Sequence, residues 1–165
     1  MAVHEHKAHA PARVTCGVIT ISDTRTEATD ESGQLVRKLL AGAGHEVAVY
    51  TIVKDEALSI LAAVDQAITK CDVVVTNGGT GLAPRDVTIE TLEPKMEKIL
   101  PGFGELFRML SYQEIVSAAM MSRALAGTYR GKLIFCLPGS PEGCALAVKA
   151  LIVPELGHAV GVMRR

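Results

Sequence analysis

The sequence predicts an α/β fold, a three-layer αβα sandwich with a mostly parallel sheet in a single domain. Short apolar runs rich in β-branched residues, such as residues 73–75, are typical of strands buried on both faces of a sheet. Stretches with apolar residues at helical spacing lie between them, as in residues 35–43. Strands that alternate with helices favour parallel pairing through crossover connections. A chain of 165 residues is long enough to bury one core of this kind.

Composition and charge exclude several classes of function. The net charge of −1 gives no electrostatic basis for binding nucleic acid or an anionic membrane, and we expect neither as a partner. No apolar run approaches a membrane span and the N-terminus lacks the apolar core of a signal peptide, so we expect a cytoplasmic protein. The cysteines show no C-x-x-C spacing and are expected to be buried free thiols: Cys16, Cys71, Cys136 and Cys144.

The chain begins with a polar stretch, residues 1–12, which we expect to be a flexible tail ahead of a folded domain at residues 13–165. The first predicted strand, residues 14–21, ends in Ser22 and Asp23. Polar residues at the carboxyl end of a strand lie where open α/β sheets bind ligands, although Asp23 would serve equally well as a turn residue. Three histidines of the tail define no metal geometry: His4, His6 and His9.

Two predicted helices flank the second strand. Asp30 is the predicted cap of the first helix, which should end at Gly42. Residues 45–53 alternate and are rich in strand-forming residues, so they should form a second parallel strand. Asp55 lies directly after this strand and is the obvious N-cap of the next helix.

The third strand leads into a glycine-rich loop, residues 78–81 (Gly-Gly-Thr-Gly), followed by Pro-Arg-Asp at residues 84–86. Glycine permits positive φ, and successive N–H groups in such a turn form an anion-binding concavity. We interpret the segment as a phosphate loop rather than a plain strand-to-helix turn. It lacks the lysine of a P-loop, and Pro84 stands where the helix of a dinucleotide fingerprint would run. Thr88 is the predicted N-cap of a short helix.

The rest of the chain is predicted as helices and one more strand. Helices are expected over residues 103–110 and 114–125, and a buried strand over residues 132–137. Ser140 is the predicted cap of the last helix, and Pro154 should kink or restart that helix.

The loops that follow the parallel strands emerge together at the carboxyl edge of the sheet. Two carboxylates beside an anion-binding loop suit a hard cation, and Mg²⁺ is the usual one when phosphates complete its shell. The residues alone therefore predict Mg²⁺-dependent chemistry or binding at a phosphorylated ligand. The polar residues expected at this edge, besides the glycine loop, are Ser22, Asp23, Asp55, Asp86 and Ser140.

Several motifs resemble, in order, those of the molybdenum cofactor biosynthesis domain, the family of molybdopterin adenylyltransferases and of the MoaB and MogA proteins. The resemblance extends from residue 14 to about residue 160, and residues 102–115 are similar to the MoaB branch. The motifs are Ile-Thr-Ile-Ser-Asp at residues 19–23, Thr-Asn-Gly-Gly-Thr-Gly-x3-Arg-Asp at residues 76–86, Met-Ser-Arg at residues 121–123 and Leu-Pro-Gly-Ser-Pro at residues 137–141.

The resemblance implies a site that binds molybdopterin and ATP, adenylates the terminal phosphate of the pterin and releases pyrophosphate. It gives catalytic roles to Asp55, Asp86 and Ser122, with Mg²⁺ held by the two aspartates, while Arg123 would offset charge. On the residues alone, Ser122 would be a surface helix residue. The resemblance implies substrate contacts for Ser22, Asp23, Gly78, Gly79, Thr80, Gly81, Pro138, Gly139 and Ser140.

An alternative of another class stays open, a non-catalytic molybdopterin-binding or scaffold protein of the MoaB type. Some MoaB proteins are degenerate at the acidic loop position, whereas this chain keeps Asp86, which favours an enzyme. The family forms trimers and MoaB-like members are often hexamers, so we expect a homo-oligomer with residues 102–115 as its interface. Other proteins of molybdenum cofactor biosynthesis are candidate partners, and either molybdenum or tungsten fits as the metal finally inserted.

Overall fold

The computed structural model describes residues 7–165, which form a six-stranded sheet with helices on both faces; His4 and His6 lie outside the described residues. The first half contains β1 (Thr15–Ile21), α1 (Glu31–Gly42), β2 (Glu46–Val53), α2 (Ala57–Ala67) and β3 (Val73–Asn77). The second half contains α3 (Thr88–Leu92), β4 (Lys98–Ile99), α4 (Pro101–Ile115), β5 (Leu125–Tyr129), β6 (Lys132–Leu137), α5 (Pro141–Ala147) and α6 (Val153–Met163).

The strands are arranged in the order β2-β1-β3-β6-β5-β4. The first four strands of this order are parallel, whereas β5 runs antiparallel to β6 and β4 antiparallel to β5. The predicted mostly parallel sheet is therefore confirmed. Asn77 at the end of β3 lies opposite Leu137 at the end of β6, so the loops that follow these two strands begin side by side.

Helices cover both faces of the sheet, which confirms the three-layer αβα sandwich. On one face α1, α4 and the α5–α6 segment pack through residues such as Val36, Phe107 and Ile152. On the other face α2 and α3 pack through Ile60 and Ile89. Because β3 lies in the interior of the sheet, all five of its residues are buried, as its β-branched run predicts. The four cysteines are buried free thiols, also as predicted.

Local signals correctly predicted two helix starts and one interruption. Asp30 caps α1 and Ser140 caps α5, each by accepting a hydrogen bond from the backbone N–H three residues further on, at 3.0 Å and 3.2 Å. A π-helical turn, Val148–Ile152, joins α5 to α6 just ahead of Pro154. Proline lacks the N–H that would continue a regular helix, so the chain changes its helical geometry there.

The sequence prediction was wrong for the segment between α4 and β6. A 3₁₀ turn, Val116–Met121, follows α4, and Leu125 begins β5 instead of ending a helix. Gly127 is likewise a strand residue. β5 and β6 form a hairpin whose two turn residues, 130 and 131, have φ values of 48° and 70°. Pairing with the buried strand β6 thus outweighs the weak strand propensity of Leu-Ala-Gly-Thr-Tyr.

One helical segment of the described chain, Pro141–Met163, is long and apolar enough to cross a membrane, with a mean hydropathy of 1.5 over an 18-residue window. Its inner side packs against the sheet, where Val148, Ile152, Leu156 and Val160 are buried in the core. Core helices of globular proteins pass the same test of length and composition, so the finding is weak evidence for a membrane span.

Candidate functional site

The first half of the glycine loop is anchored by Thr88. The Thr88 hydroxyl donates a hydrogen bond to the carbonyl oxygen of Gly78 at 3.0 Å, and its backbone N–H donates to that of Gly79 at 3.0 Å. Both glycines have positive φ, 97° and 68°. A Cβ atom on Gly79 would lie 2.2 Å from the Thr88 hydroxyl oxygen, so only glycine fits beside this anchor.

The second half of the loop is anchored by Arg123. Its Nε donates to the carbonyl oxygen of Thr80 at 2.9 Å and its Nη2 to that of Gly81 at 2.7 Å. The guanidinium also forms an ion pair with Glu90 through Nη1. The hydrogen bond from Arg123 lowers the pKa of the Glu90 carboxyl, and the same bond raises the pKa of Arg123. The pair is therefore charged at neutral pH.

The four anchored carbonyls fix the direction of four backbone N–H groups. In a trans peptide unit the N–H points away from the C=O, and the described chain contains no cis peptide bond. Because Thr88 and Arg123 donate to the carbonyl oxygens of residues 78–81, the N–H groups of residues 79–82 point away from these two residues. None of these four groups donates a hydrogen bond within residues 7–165. Such a row of free donors at the end of a buried strand suits a phosphate group.

The loop after β6 lies against the glycine loop. A Cβ atom on Gly139 would lie 3.5 Å from the Cα atom of Gly78. The carbonyl oxygen of Gly139 accepts a hydrogen bond from Ser32 at 2.6 Å, and that of Pro138 accepts one from the Cys144 thiol at 3.2 Å. The neighbouring Ser140 is exposed, and because its hydroxyl oxygen only accepts as a helix cap, its O–H can still donate to a ligand.

Two carboxylates lie beside the glycine loop. Asp55 Oδ1 accepts a hydrogen bond from the N–H of Val87, and Asp86 Oδ2 accepts one from that of Ala83, both at 3.3 Å. Burial raises the pKa of Asp55, and the adjacent Asp86 raises it further, against the opposing hydrogen bond from Val87. A carboxylate whose ionisation is opposed by a neighbouring carboxylate has the electrostatics of a cation site.

The predicted helix caps at Asp55 and Thr88 are wrong. The N-cap positions of α2 and α3 belong to Glu56 and Val87, and neither side chain makes a capping hydrogen bond. The Asp55 carboxylate binds the Val87 N–H, and the Thr88 hydroxyl binds the Gly78 carbonyl. Both polar groups are therefore directed at the loop, where contacts from distant parts of the chain replace the local cap.

Ser22 and Asp23 follow the end of β1, and Asp23 contacts residues of the site. The Ser22 hydroxyl accepts hydrogen bonds from two N–H groups of its own turn, at 3.3 Å and 3.1 Å. Asp23 Oδ1 accepts one from the N–H of Asp55 at 3.0 Å, and its carboxylate forms an ion pair with Arg85. Sequence reasoning did not assign a role to Arg85, because no local pattern shows that it reaches the end of β1.

The cavity beside the glycine loop has a volume of about 250 Å³. Its wall includes Asp86, Glu90, Arg123 and Gly81, the last residue of the loop. A larger groove of about 680 Å³ lies between β4 and α6. That groove is mostly apolar and lies near the amino-terminal end of β6, away from the converging polar groups of the loop, so we assign the functional site to the loop.

Comparisons with known proteins identify the family of the chain. The family described as a probable molybdopterin binding domain matches residues 17–158. The chain belongs to this molybdenum cofactor biosynthesis family. It is 53% identical to molybdenum cofactor biosynthesis protein B of Bacillus cereus, over 100% of this chain and 99% of the relative. It is 54% identical to the protein of that name from Bacillus subtilis, with the same two coverages.

Solved structures of the family share the fold. A crystal structure of a molybdenum cofactor biosynthesis protein B superposes with a TM-score of 0.91 at 53% identity, covering 95% of this chain and 99% of that chain. The tungsten cofactor synthesizing protein MoaB from Pyrococcus furiosus superposes with a TM-score of 0.86 at 39% identity, covering 94% and 100%. The family resemblance predicted from the motifs, including its MoaB branch, is confirmed.

Ser122 stands apart from the other residues to which the family resemblance gives a role. Its hydroxyl is buried and has no hydrogen-bond partner within residues 7–165. The adjacent Arg123 contacts the glycine loop, whereas no hydrogen bond joins the Ser122 side chain to another predicted site residue of the described chain. A catalytic role for Ser122 stays a prediction.

The described residues fit a shared rather than a fully protein-bound Mg²⁺ ion. Within residues 7–165 no group of three His, Cys, Asp or Glu side chains forms a metal cluster. Asp55 and Asp86 supply two carboxylates, and Mg²⁺ commonly takes one or two carboxylates together with phosphate oxygens and water. This pair therefore fits Mg²⁺ that arrives with a phosphorylated ligand.

Proposed function

We propose that the protein binds molybdopterin and adenylates its terminal phosphate with Mg-ATP, releasing pyrophosphate, as a cytoplasmic nucleotidyltransferase of molybdenum cofactor biosynthesis. The observation that supports this most strongly is the row of free N–H groups of residues 79–82 beside the carboxylates of Asp55 and Asp86. A donor row alone would suit phosphate binding. A donor row with a carboxylate pair suits the transfer of a nucleotidyl group, in which a cation must balance the charge of the phosphates.

The reaction asks for positioning more than for a covalent nucleophile. An oxygen of the pterin's terminal phosphate bonds to the α-phosphorus of ATP, and the bond from that phosphorus to the oxygen of pyrophosphate breaks. The loop N–H groups bind phosphate oxygens, and Ser140 donates its O–H to the same ligand. Mg²⁺ held by Asp55 and Asp86 would neutralise the triphosphate charge.

A homo-oligomer, trimer or hexamer, is part of the proposal. Monomeric proteins rarely expose large contiguous apolar surfaces, whereas interfaces between identical subunits bury them. α4 and the 3₁₀ turn after it form an apolar face whose side chains are 47–78% exposed: Leu106, Met109, Tyr112, Ile115, Val116, Met120 and Met121. This face extends the interface predicted at residues 102–115.

The second candidate is a molybdopterin-binding scaffold without turnover. The enclosed hydroxyl of Ser122 favours it, because a residue with a predicted catalytic role is held away from solvent. A scaffold would need the glycine loop and the apolar face but not the charge of Asp86.

Incubation with molybdopterin, ATP and Mg²⁺ distinguishes the two candidates. The enzyme should form adenylated molybdopterin and pyrophosphate in equal amounts, and a chelator should stop the reaction. A protein that binds molybdopterin but yields neither product under saturating ATP and Mg²⁺ is the scaffold.

A further inference from the structure

We propose that Arg123 is a positioning residue, whose guanidinium aims the N–H groups of Gly81 and Leu82 at a bound phosphate, and that Glu90 holds the guanidinium in that orientation. The inference rests on the proposed phosphate binding by the glycine loop. It gives Arg123 a role different from the charge offset that the family resemblance implies.

The direction of these two N–H groups follows from the geometry of the peptide unit. Arg123 Nε and Nη2 hold the carbonyl oxygens of Thr80 and Gly81 at 2.9 Å and 2.7 Å. The same two peptide units carry the N–H groups of Gly81 and Leu82, which must therefore point away from Arg123. The planar guanidinium presents two donors in a fixed fork, so it fixes two adjacent peptide units at once.

Glu90 compensates the charge of Arg123. The carboxylate pairs with Nη1, and its Oε2 lies 3.4 Å from Nη2. Three nitrogens of the guanidinium are therefore engaged by the protein itself. A residue that served to offset ligand charge would keep its donors free for the ligand. This guanidinium instead donates to the carbonyl oxygens of the loop.

The two halves of the loop are held independently. Thr88 anchors the carbonyls of Gly78 and Gly79, which aim the N–H groups of Gly79 and Thr80. Loss of the Arg123 contacts should release only the second pair of N–H groups. A general loss of folding would affect all four groups together, so the pattern among the four separates positioning from a merely structural role.

The test is a titration of the full chain with inorganic pyrophosphate, followed through the backbone amide NMR signals of residues 79–82. In the wild type all four amides should shift with one affinity. Arg123→Lys keeps the charge but cannot form the fork, so the shifts of Gly81 and Leu82 should be lost and pyrophosphate should bind ~10-fold or more weakly. The shifts of Gly79 and Thr80 should remain. Glu90→Gln should weaken binding less, by ~3-fold, because one neutral acceptor stays beside the guanidinium.

Arg130→Lys is the matched control, because Arg130 pairs with Asp65 at 3.4 Å at the opposite end of β6. It should titrate like the wild type. If Arg123→Lys shifts all four amides with wild-type affinity, the positioning role is wrong while phosphate binding stands. If the wild-type amides do not respond to pyrophosphate at all, the proposed phosphate loop is wrong and the inference fails with it.

Discussion

The hydroxyl of Thr88 donates a hydrogen bond to the carbonyl oxygen of Gly78 across 3.0 Å, with Thr88 completely buried. This bond joins the first residue of α3 to the first residue of the glycine loop. Since the hydroxyl is buried, water cannot take its place as the donor to the Gly78 carbonyl. The bond therefore holds the loop in the conformation that leaves its N–H groups free.

Thr88→Val should destabilise the protein by about 1–3 kcal/mol, because the Gly78 carbonyl would lose its partner inside the protein. Urea unfolding measures the difference. Thr88→Ser keeps the hydroxyl and should lie closer to the wild type. A Thr88→Val variant as stable as the wild type would show that this hydrogen bond does not stabilise the fold.

Gly79→Ala should abolish pyrophosphate binding by the loop. The residue has a φ of 68°, and its new Cβ atom would lie 2.2 Å from the Thr88 hydroxyl oxygen and 3.0 Å from Asp55 Oδ1. The loop would have to move away from its anchor, and calorimetry with pyrophosphate would detect the loss. Gly42→Ala is the control, since a Cβ atom there meets nothing within 4 Å. Wild-type affinity in folded Gly79→Ala would contradict the loop assignment.

Asp55→Asn should stabilise the ligand-free protein at neutral pH while it removes a cation ligand. Burial, and then the nearby Asp86, raise the pKa of Asp55 above its ordinary value of 3.8. The folded state therefore binds the proton more tightly than the unfolded state, and stability falls as pH rises from 3.8 through the raised pKa. Asparagine lacks this loss, so the unfolding free energy of the variant at pH 7 should be higher than that of the wild type.

Thermal unfolding of wild type and Asp55→Asn over a range of pH measures this effect. The difference in Tm should be absent below pH 3.8, open as the pH rises through the raised pKa, and stay constant above it. Glu56→Gln, at an exposed neighbouring position, should leave Tm unchanged. A wild type that is more stable than Asp55→Asn at neutral pH would show that the ionised Asp55 carboxylate does not destabilise the folded state.

Sequence reasoning predicted the parts of the fold whose signals are local. The β-branched run of β3 and the glycines after it specify a buried strand and a tight loop, whatever surrounds them. The caps expected at Asp55 and Thr88 were wrong because each side chain has a second partner from a distant segment. The contacts of Arg123 with the loop carbonyls join residues more than 40 positions apart, and no periodic pattern marks them.

The two strands that the sequence prediction missed illustrate the same limit. β4 has only two residues, Lys98 and Ile99, which is too short for alternation to be visible. β5 contains Gly127 and few β-branched residues, and it is a strand because it pairs with β6. Such pairing is a tertiary effect, which local propensity does not report.

The apolar face of α4 predicts self-association. The wild type should sediment as a homo-oligomer at micromolar concentration, and Met109→Glu should dissociate it, because a charge would be buried at the interface. Met109 is 53% exposed in the single chain, and Leu58, on α2 and 84% exposed, provides the control. Leu58→Glu should keep the wild-type assembly. A wild type that sediments as a monomer would rule out the interface.

The central claim is tested most directly by the rate at which wild type and Asp86→Asn form adenylated molybdopterin under saturating ATP and Mg²⁺. Asparagine keeps an acceptor for the Ala83 N–H but removes the charge that a cation needs, so folding and molybdopterin binding should persist. We predict product from the wild type and a loss of ~10²-fold or more in the variant, about 3 kcal/mol of transition-state stabilisation. No product from the wild type, or equal rates in the two proteins, would contradict the account.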